Sequence, residues 1–246
     1  MNNSLYRGLV TAFMFLTRLP MPQLDNYQAE DAGKALALFP LVGLVIGLFL
    51  CVLSLLPLPA LALSALLVTF WVFITGGLHI DGLADSADGW LGGLNDKARS
   101  LEIMKDPVCG SAAVMSVGCL LIVKFAAIAS LVEQQHVVAL LLAPMIGRCV
   151  PPLLFLTTDY VSKNGLAAAF IEHADKKTLN IVLLICGLLT LLFSGFIQTL
   201  ILLFVLSSVL YGLRELMMSR LGGNTGDTTG ASVEIIEACT LLVFCL

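Results

Sequence analysis

The chain has 246 residues, 13 of them Lys or Arg and 17 Asp or Glu; 12% are charged and 59% hydrophobic, with a mean hydropathy of +0.98. An ordinary soluble domain is about 25% charged, so these figures exclude disorder, a collagen-like fibre, a disulfide scaffold and a nucleic-acid binder. A soluble core of this composition would leave a large apolar surface wet, which makes lipid the solvent for most of the chain.

In chain order, residues 1–22 come first. Their apolar run is short, Arg18 follows it and no small-residue cleavage site appears, so they read as an interfacial or re-entrant helix and not as a signal peptide. Residues 35–56 are apolar and end at Pro57-Leu58-Pro59, and 60–78 are apolar again. The most polar stretch is 79–110. Residues 111–132 and 137–157 are apolar apart from Lys124 and Arg148, with a short polar turn between them. A polar loop at 158–178 precedes two apolar segments, 179–196 and 199–217. A Gly/Thr-rich loop at 218–230 leads into a last short apolar helix, 231–246. A crossing needs about 20 apolar residues. The reading is therefore an all-α, polytopic integral membrane helix bundle of about seven transmembrane helices plus the N-terminal helix.

Basic residues fall in the long loops (Lys97, Arg99 and Lys105; Lys163, Lys176 and Lys177; Arg214 and Arg220 beside the third) and in the N-terminal region. The short turns on the other side carry none. The positive-inside rule places the N-terminus and all three long loops in the cytoplasm. The seven cysteines are scattered through apolar runs with no Cys-x-x-Cys pair, as small buried hydrophobes would be.

Three constellations carry chemistry. Asp81, Asp85 and Asp88 are spaced i, i+4, i+7, within about 60° of arc on a helix. Three stacked carboxylates repel one another, and a hard cation such as Mg²⁺, which takes a few carboxylates plus phosphate oxygens, would reverse that repulsion. Asp81 is also placed to serve as a helix N-cap. His79 falls on the opposite helical face unless the Gly76-Gly77 entry is non-helical; it is a candidate general base, phosphate donor or structural group. The second constellation is Gly222, Gly223, Asn224, Thr225 and Gly226, followed by Asp227, Glu234 and Glu237 on the next helix. A glycine-rich loop feeding a helix N-terminus offers backbone N–H groups to an anion, and acids entering an apolar helix are costly enough to suggest function. Third, Lys124 and Arg148 stand within apolar segments and must face a polar interior, with phosphate or the Asp stripe as partners. Glu102, Lys105 and Asp106 form a further charged patch.

Two readings follow from the residues: an Mg²⁺-dependent enzyme acting on a phosphorylated substrate, or a cation- or proton-coupled transporter. A transporter predicts internal repeats and carboxylates near the bilayer midplane. The chain shows no repeat and its acids lie at helix ends, which favours the enzyme.

The motifs also resemble the cobalamin synthase (adenosylcobinamide-GDP ribazoletransferase) family. The resemblance rests on Phe15-Leu16-Thr17-Arg18-Leu19-Pro20, Phe39-Pro40-Leu41-Val42-Gly43 and His79-Ile80-Asp81-Gly82-Leu83-Ala84-Asp85 with Asp88-Gly89. It continues through Glu102-Ile103-Met104-Lys105-Asp106, Gly147-Arg148 and Leu221-Gly222-Gly223-Asn224-Thr225-Gly226-Asp227-Thr228, in order along nearly the whole chain. It implies that adenosylcobinamide-GDP and α-ribazole (or its 5′-phosphate) are joined, giving adenosylcobalamin (or its 5′-phosphate) and GMP, with Mg²⁺, at the bacterial inner membrane and on its cytoplasmic side. On this resemblance Asp81, Asp85 and Asp88 hold metal, with Asp227 as a further ligand. Arg18, Lys105, Lys124, Arg148 and the loop at 222–226 are candidates for phosphate, and His79 or one of the acids for the base. Association with other cobalamin-assembly enzymes, or with a second copy, stays open. CDP-alcohol phosphotransferases use a similar stripe, but their Ala-Arg after the first Asp-Gly and their wider acid spacing are missing here.

Overall fold

The computed structural model describes residues 4–24, 28–162 and 167–246. Among these residues there are helices and no strands, with one isolated bridge between Tyr160 and Asn224. The helices are α1 (Ser4–Leu16), α2 (Ala29–Leu53), α3 (Ala60–Thr75), α4 (Leu78–Gly92), α5 (Lys97–Ile103) and α6 (Ser111–Glu133). They continue with α7 (Val138–Thr157), α8 (Ala168–Glu172), α9 (Lys176–Ser194), α10 (Phe196–Leu221) and α11 (Gly226–Phe244). In hydrocarbon every backbone N–H and C=O must be satisfied within its own segment, which is why so apolar a chain is helical.

Five helices are long and apolar enough to cross a membrane: α2, α6, α7, α9 and α10. The α3 helix, 16 residues long, passes only when joined to α4, from which it is bent by 88°. Among the described residues five helices thus qualify as spans by length and composition, or six if the bent pair is one span, against about seven expected. The difference lies in α11, which the sequence offered as a short last span. It packs against α4, α6, α7 and α10 and buries 14 of its 19 residues, so it is a central core helix with Gly, Ala, Ser and Thr on its contacts.

The long polar stretches also differ from expectation. Residues 79–110 are mostly helical, as α4 and α5, and α8 lies within 158–178. Helix α2 begins at Ala29, six residues before the apolar run, because Gln28 and Asp31 close a capping box at its start. Asp31 also takes an ion pair from Arg7 of α1 at 2.7 Å. That contact fastens α1, at 13 residues too short to cross, along α2.

The most extensive contact in the bundle is α2 on α7. Gly43 and Gly47 face the carbonyls of Pro144 and Leu141, and a side chain at either glycine would meet backbone. Small residues four apart let two membrane helices approach this closely. In contrast, α9 and α10 bury few residues and expose apolar side chains such as Leu184, Leu192, Leu203 and Phe204 to the surroundings. They form the lipid-facing flank.

A candidate active site where helices four and eleven cross

The acid stripe is set by a corner. Gly76 and Gly77, at φ +64° and +70°, end α3 and start α4 in the left-handed region, which costs glycine nothing. Arg18 seats this corner: its amide donates to the Ile74 carbonyl at 2.8 Å and its exposed side chain lies over Gly76. Gly77 is the cap residue of α4, and Asp81 lies one turn in, its amide bonded to the Gly77 carbonyl at 2.9 Å. The alternative of Asp81 as N-cap is therefore set aside.

Asp81, Asp85 and Asp88 then share the face predicted by their spacing. Asp227, in the first turn of α11, joins them because α4 and α11 cross nearly backbone to backbone. A Cβ at Gly82 would lie 2.7 Å from the Asp227 carbonyl oxygen, and one at Gly230 would lie 3.3 Å from the His79 Cα. The electrostatics follow. Burial, and then the charges of Asp81, Asp227 and Asp88, push the Asp85 carboxyl up to about 6. Burial and Asp81 raise Asp227 as well. Among the described residues no cation is named among the groups acting on either carboxylate.

Asp88 has a second task. Its two carboxylate oxygens accept from the amides of Gly110 at 2.6 Å and Ala113 at 3.0 Å, so it caps the N-terminus of α6. This is a favourable place for a negative charge.

His79 does not join the stripe. The helix is already formed at Leu78, so His79 sits about 200° round from Asp81. It is buried against α11, where the charges of Arg148 and Lys124 act on it, and its Nδ1 has no hydrogen-bond partner among the described residues. That position is the one expected of the structural alternative.

Lys124 and Arg148 are also placed differently from expectation. They meet Glu234 and Glu237 in the core, not phosphate or the Asp stripe. Lys124 Nζ lies 2.5 Å from Glu234 and 2.6 Å from Glu237, and Arg148 pairs with Glu237. The Lys124 ammonium is also 4.5 Å from the centre of the Trp71 ring. All four charged side chains are buried.

The glycine-rich loop is a cap more than an open cradle. The Gly222 amide donates to the carbonyls of Met217 and Met218, that of Asn224 to Asp159 at 2.8 Å, and that of Thr225 to the Thr228 hydroxyl at 2.9 Å. These donors are spent inside the protein, which limits the expected anion binding by the loop. The Asn224 side chain is buried, with neither amide atom partnered among the described residues. Lys105 and Asp106 lie exposed after α5, and Asp106 accepts from the Val108 amide at 3.0 Å.

Two neighbours of the site were not singled out by their sequence. Val161 donates to the Asn224 carbonyl at 2.9 Å, which lays residues 159–161 along the loop and brings the Tyr160 hydroxyl over Gly226. Burial, and to a lesser degree Asp227, raises the Tyr160 phenol. The Lys97 ammonium lies over Gly222. Lys97 had counted only as a topological charge, and nothing in the spacing of Tyr160 ties it to a loop 60 residues away.

An all-helical bundle with five or six candidate spans among the described residues, and an acid cluster where α4 and α11 cross, defines a polytopic membrane protein. The cobalamin-5-phosphate synthase family model matches residues 8–245, and the chain belongs to that family. It is similar to proteins called adenosylcobinamide-GDP ribazoletransferase. The one from Pseudomonas fluorescens strain SBW25 is 45% identical over 234 residues, 94% of this chain and 96% of the relative. That from Acinetobacter baumannii strain ATCC 17978 is 43% identical over 95% of this chain and 94% of its own length. That from Pseudomonas putida strain GB-1 is 46% identical over 94% and 95%. No solved structure matches the chain.

Proposed function

We propose that this chain joins adenosylcobinamide-GDP and α-ribazole, or its 5′-phosphate, to give adenosylcobalamin, or its 5′-phosphate, and GMP, with Mg²⁺ held at the acid cluster. Family membership and the names of its relatives support the transferase. The observation that carries the site is the meeting of Asp81 and Asp85 with Asp227, more than 140 residues away, in a cluster that no cation among the described residues neutralises. All its donors are carboxylate oxygens, the kind a hard cation takes. Among the described residues no three His, Cys, Asp or Glu side chains already form a metal-holding group. Mg²⁺ commonly takes only one or two carboxylates and completes its shell with water and phosphate oxygens. One or two of Asp81, Asp85 and Asp227 would hold it, with Asp88 adding charge from its capping position. When bound, it would supply positive charge to the donor's pyrophosphate oxygens.

The chain's own residues orient the rest. A hydroxyl oxygen of α-ribazole bonds to the phosphorus attached to cobinamide, and the bond from that phosphorus to the bridging oxygen breaks. GMP leaves with that oxygen, and the hydroxyl proton passes to a carboxylate of the cluster. Such a displacement depends mostly on positioning and charge. Arg18 at the α3–α4 corner, Lys97 over Gly222 and Lys105 after α5 offer exposed cations for the donor's phosphates. The side of the bundle bearing these residues faces the cytoplasm of the bacterial inner membrane in this reading, as the loop charges indicate.

The test is GMP release by the purified, full-length protein in detergent, supplied with adenosylcobinamide-GDP, α-ribazole and Mg²⁺. GMP and cobalamin should appear in equal amounts, and EDTA should stop both. Detergent leaves no sealed compartment, so turnover there excludes transport as its origin. Absence of GMP release from folded protein over a range of Mg²⁺ and Mn²⁺ would overturn the proposal.

A further inference from the structure

We infer that the cleft between α7, α9 and α10 holds an acyl chain of an anionic membrane phospholipid whose phosphate rests at Arg214. The cleft has a volume of about 530 Å³ and is floored by Ile236 of α11. This falls within the roughly 300–1,000 Å³ of ordinary ligand sites. Three of its walls are spans. Its lining is apolar except for a few hydroxyls, and those are already committed. Thr190 donates to the Cys186 carbonyl at 2.8 Å, Thr199 to Gly195 at 2.7 Å and Ser207 to Phe204 at 3.2 Å. Each is turned back on its own helix.

That bookkeeping of donors selects the occupant. Water needs several polar partners in a cavity, and here no lining hydroxyl has a hydrogen left to donate. An empty space of this size would forfeit the dispersion contacts of all its lining atoms. A polar ligand, including the corrinoid substrate with its amides, would lose hydrogen bonds on entering. A hydrocarbon chain loses nothing and is already present around all three spans.

The charge at one mouth identifies the lipid. Leu153 of α7 and Leu210 of α10 line the cleft, and one turn beyond each lie Thr157 and Arg214. Arg214 Nε and Nη2 donate to the Thr157 carbonyl at 3.3 and 3.1 Å, so the guanidinium is fixed across the top of α7. Its Nη1 meets Glu215 at 3.0 Å, and the side chain remains 33% exposed. Helix α9 starts at this same end with exposed Lys176 and Lys177 after its cap, Asp175. Arg214, Lys176 and Lys177 outnumber the acids immediately beside them, Asp175 and Glu215, and this local excess of positive charge favours a negatively charged headgroup.

The experiment uses full-length protein reconstituted in vesicles of phosphatidylglycerol and phosphatidylcholine, with a trace of phosphatidylglycerol carrying a photoreactive diazirine in its acyl chain. Adducts should concentrate on the cleft walls of α7, α9 and α10. Gly187 lines the cleft, and a side chain added there meets no atom within 4 Å. Gly187→Phe should therefore fill the cleft, abolish those adducts and leave GMP release unchanged. A second filling variant, Leu206→Trp, should do the same. Arg214→Gln should keep the adducts but lower the preference for phosphatidylglycerol over phosphatidylcholine by about fivefold, the effect of one cation near an anionic headgroup. Adducts spread evenly over all lipid-facing helices of the unaltered protein would overturn the inference, as would full labelling of both filling variants. So would disulfide cross-linking between two copies of a Gly187→Cys variant, which would show a second chain in the cleft.

Discussion

Two groups of charge lie about two turns apart on α11 and differ in their balance. At Glu234 and Glu237 the helix meets Lys124 and Arg148, two acids against two bases, all buried and mutually paired. At Asp227 it meets Asp81 and Asp85, with Asp88 nearby, and no base among the described residues acts on them. The first group is cancelled within the chain and offers nothing to a ligand. The second is left incomplete, and partial burial makes that incompleteness costly. A helix can thus carry structural and functional acids side by side, and their partners distinguish them where residue type does not.

The largest effect should come from unbalancing the closed group. Glu237→Gln keeps the volume but leaves Lys124 and Arg148 with one carboxylate, which should destabilise the protein by about 3–5 kcal/mol. Thermal unfolding in detergent measures it. Replacing Lys124 and Glu234 together with Met removes one charge of each sign, and should leave stability nearer the unaltered protein than Glu237→Gln does. Equal losses in both would break the distinction.

Next comes the open group. Asp85→Asn and Asp227→Asn should each lower the rate of GMP release at least about a hundredfold, on the order of 3 kcal/mol in the barrier. Neither should lower the unfolding temperature, because each removes a repelling charge. A loss of stability would move that residue into the structural group.

Asp88 lies between the two. Asp88→Ala should cost about 1 kcal/mol of stability through the lost cap of α6, a cost that Asp85→Ala should not share. Thermal midpoints of the pair separate cap from site. The smallest effect should be that of His79→Gln. It should slow the reaction by less than the roughly hundredfold minimum expected for a lost general base. The pH–rate profile should keep its shape.

The sequence was informative where interactions are local. Apolar runs gave the membrane bundle, and the i, i+4, i+7 spacing gave the shared face of Asp81, Asp85 and Asp88. It was least informative where partners are distant. Glu234 and Glu237 looked functional because acids in an apolar helix are expensive, but Lys124 lies 110 and 113 residues away from them. Apolarity alone also does not separate a helix facing lipid from one enclosed by protein, which is why α11 read as a span. The Gly76-Gly77 pair was visible, but the 88° corner it makes was not. His79 depended on whether the helix had begun two residues before Asp81, a question of one residue that local composition leaves open.

The near-contact of Gly82 with the Asp227 backbone has a consequence for which ion the proposed site accepts. The approach of α4 to α11 depends on a missing side chain: a Cβ at Gly82 would lie 2.7 Å from the Asp227 carbonyl oxygen, so the two helices could not sit this close around any other residue. A hydrogen atom on Gly82 therefore acts as a gauge. Magnesium demands short, near-ideal octahedral bonds, whereas calcium tolerates longer ones and a more flexible cage. At the proposed site such a spacing would favour the smaller of two ions of equal charge.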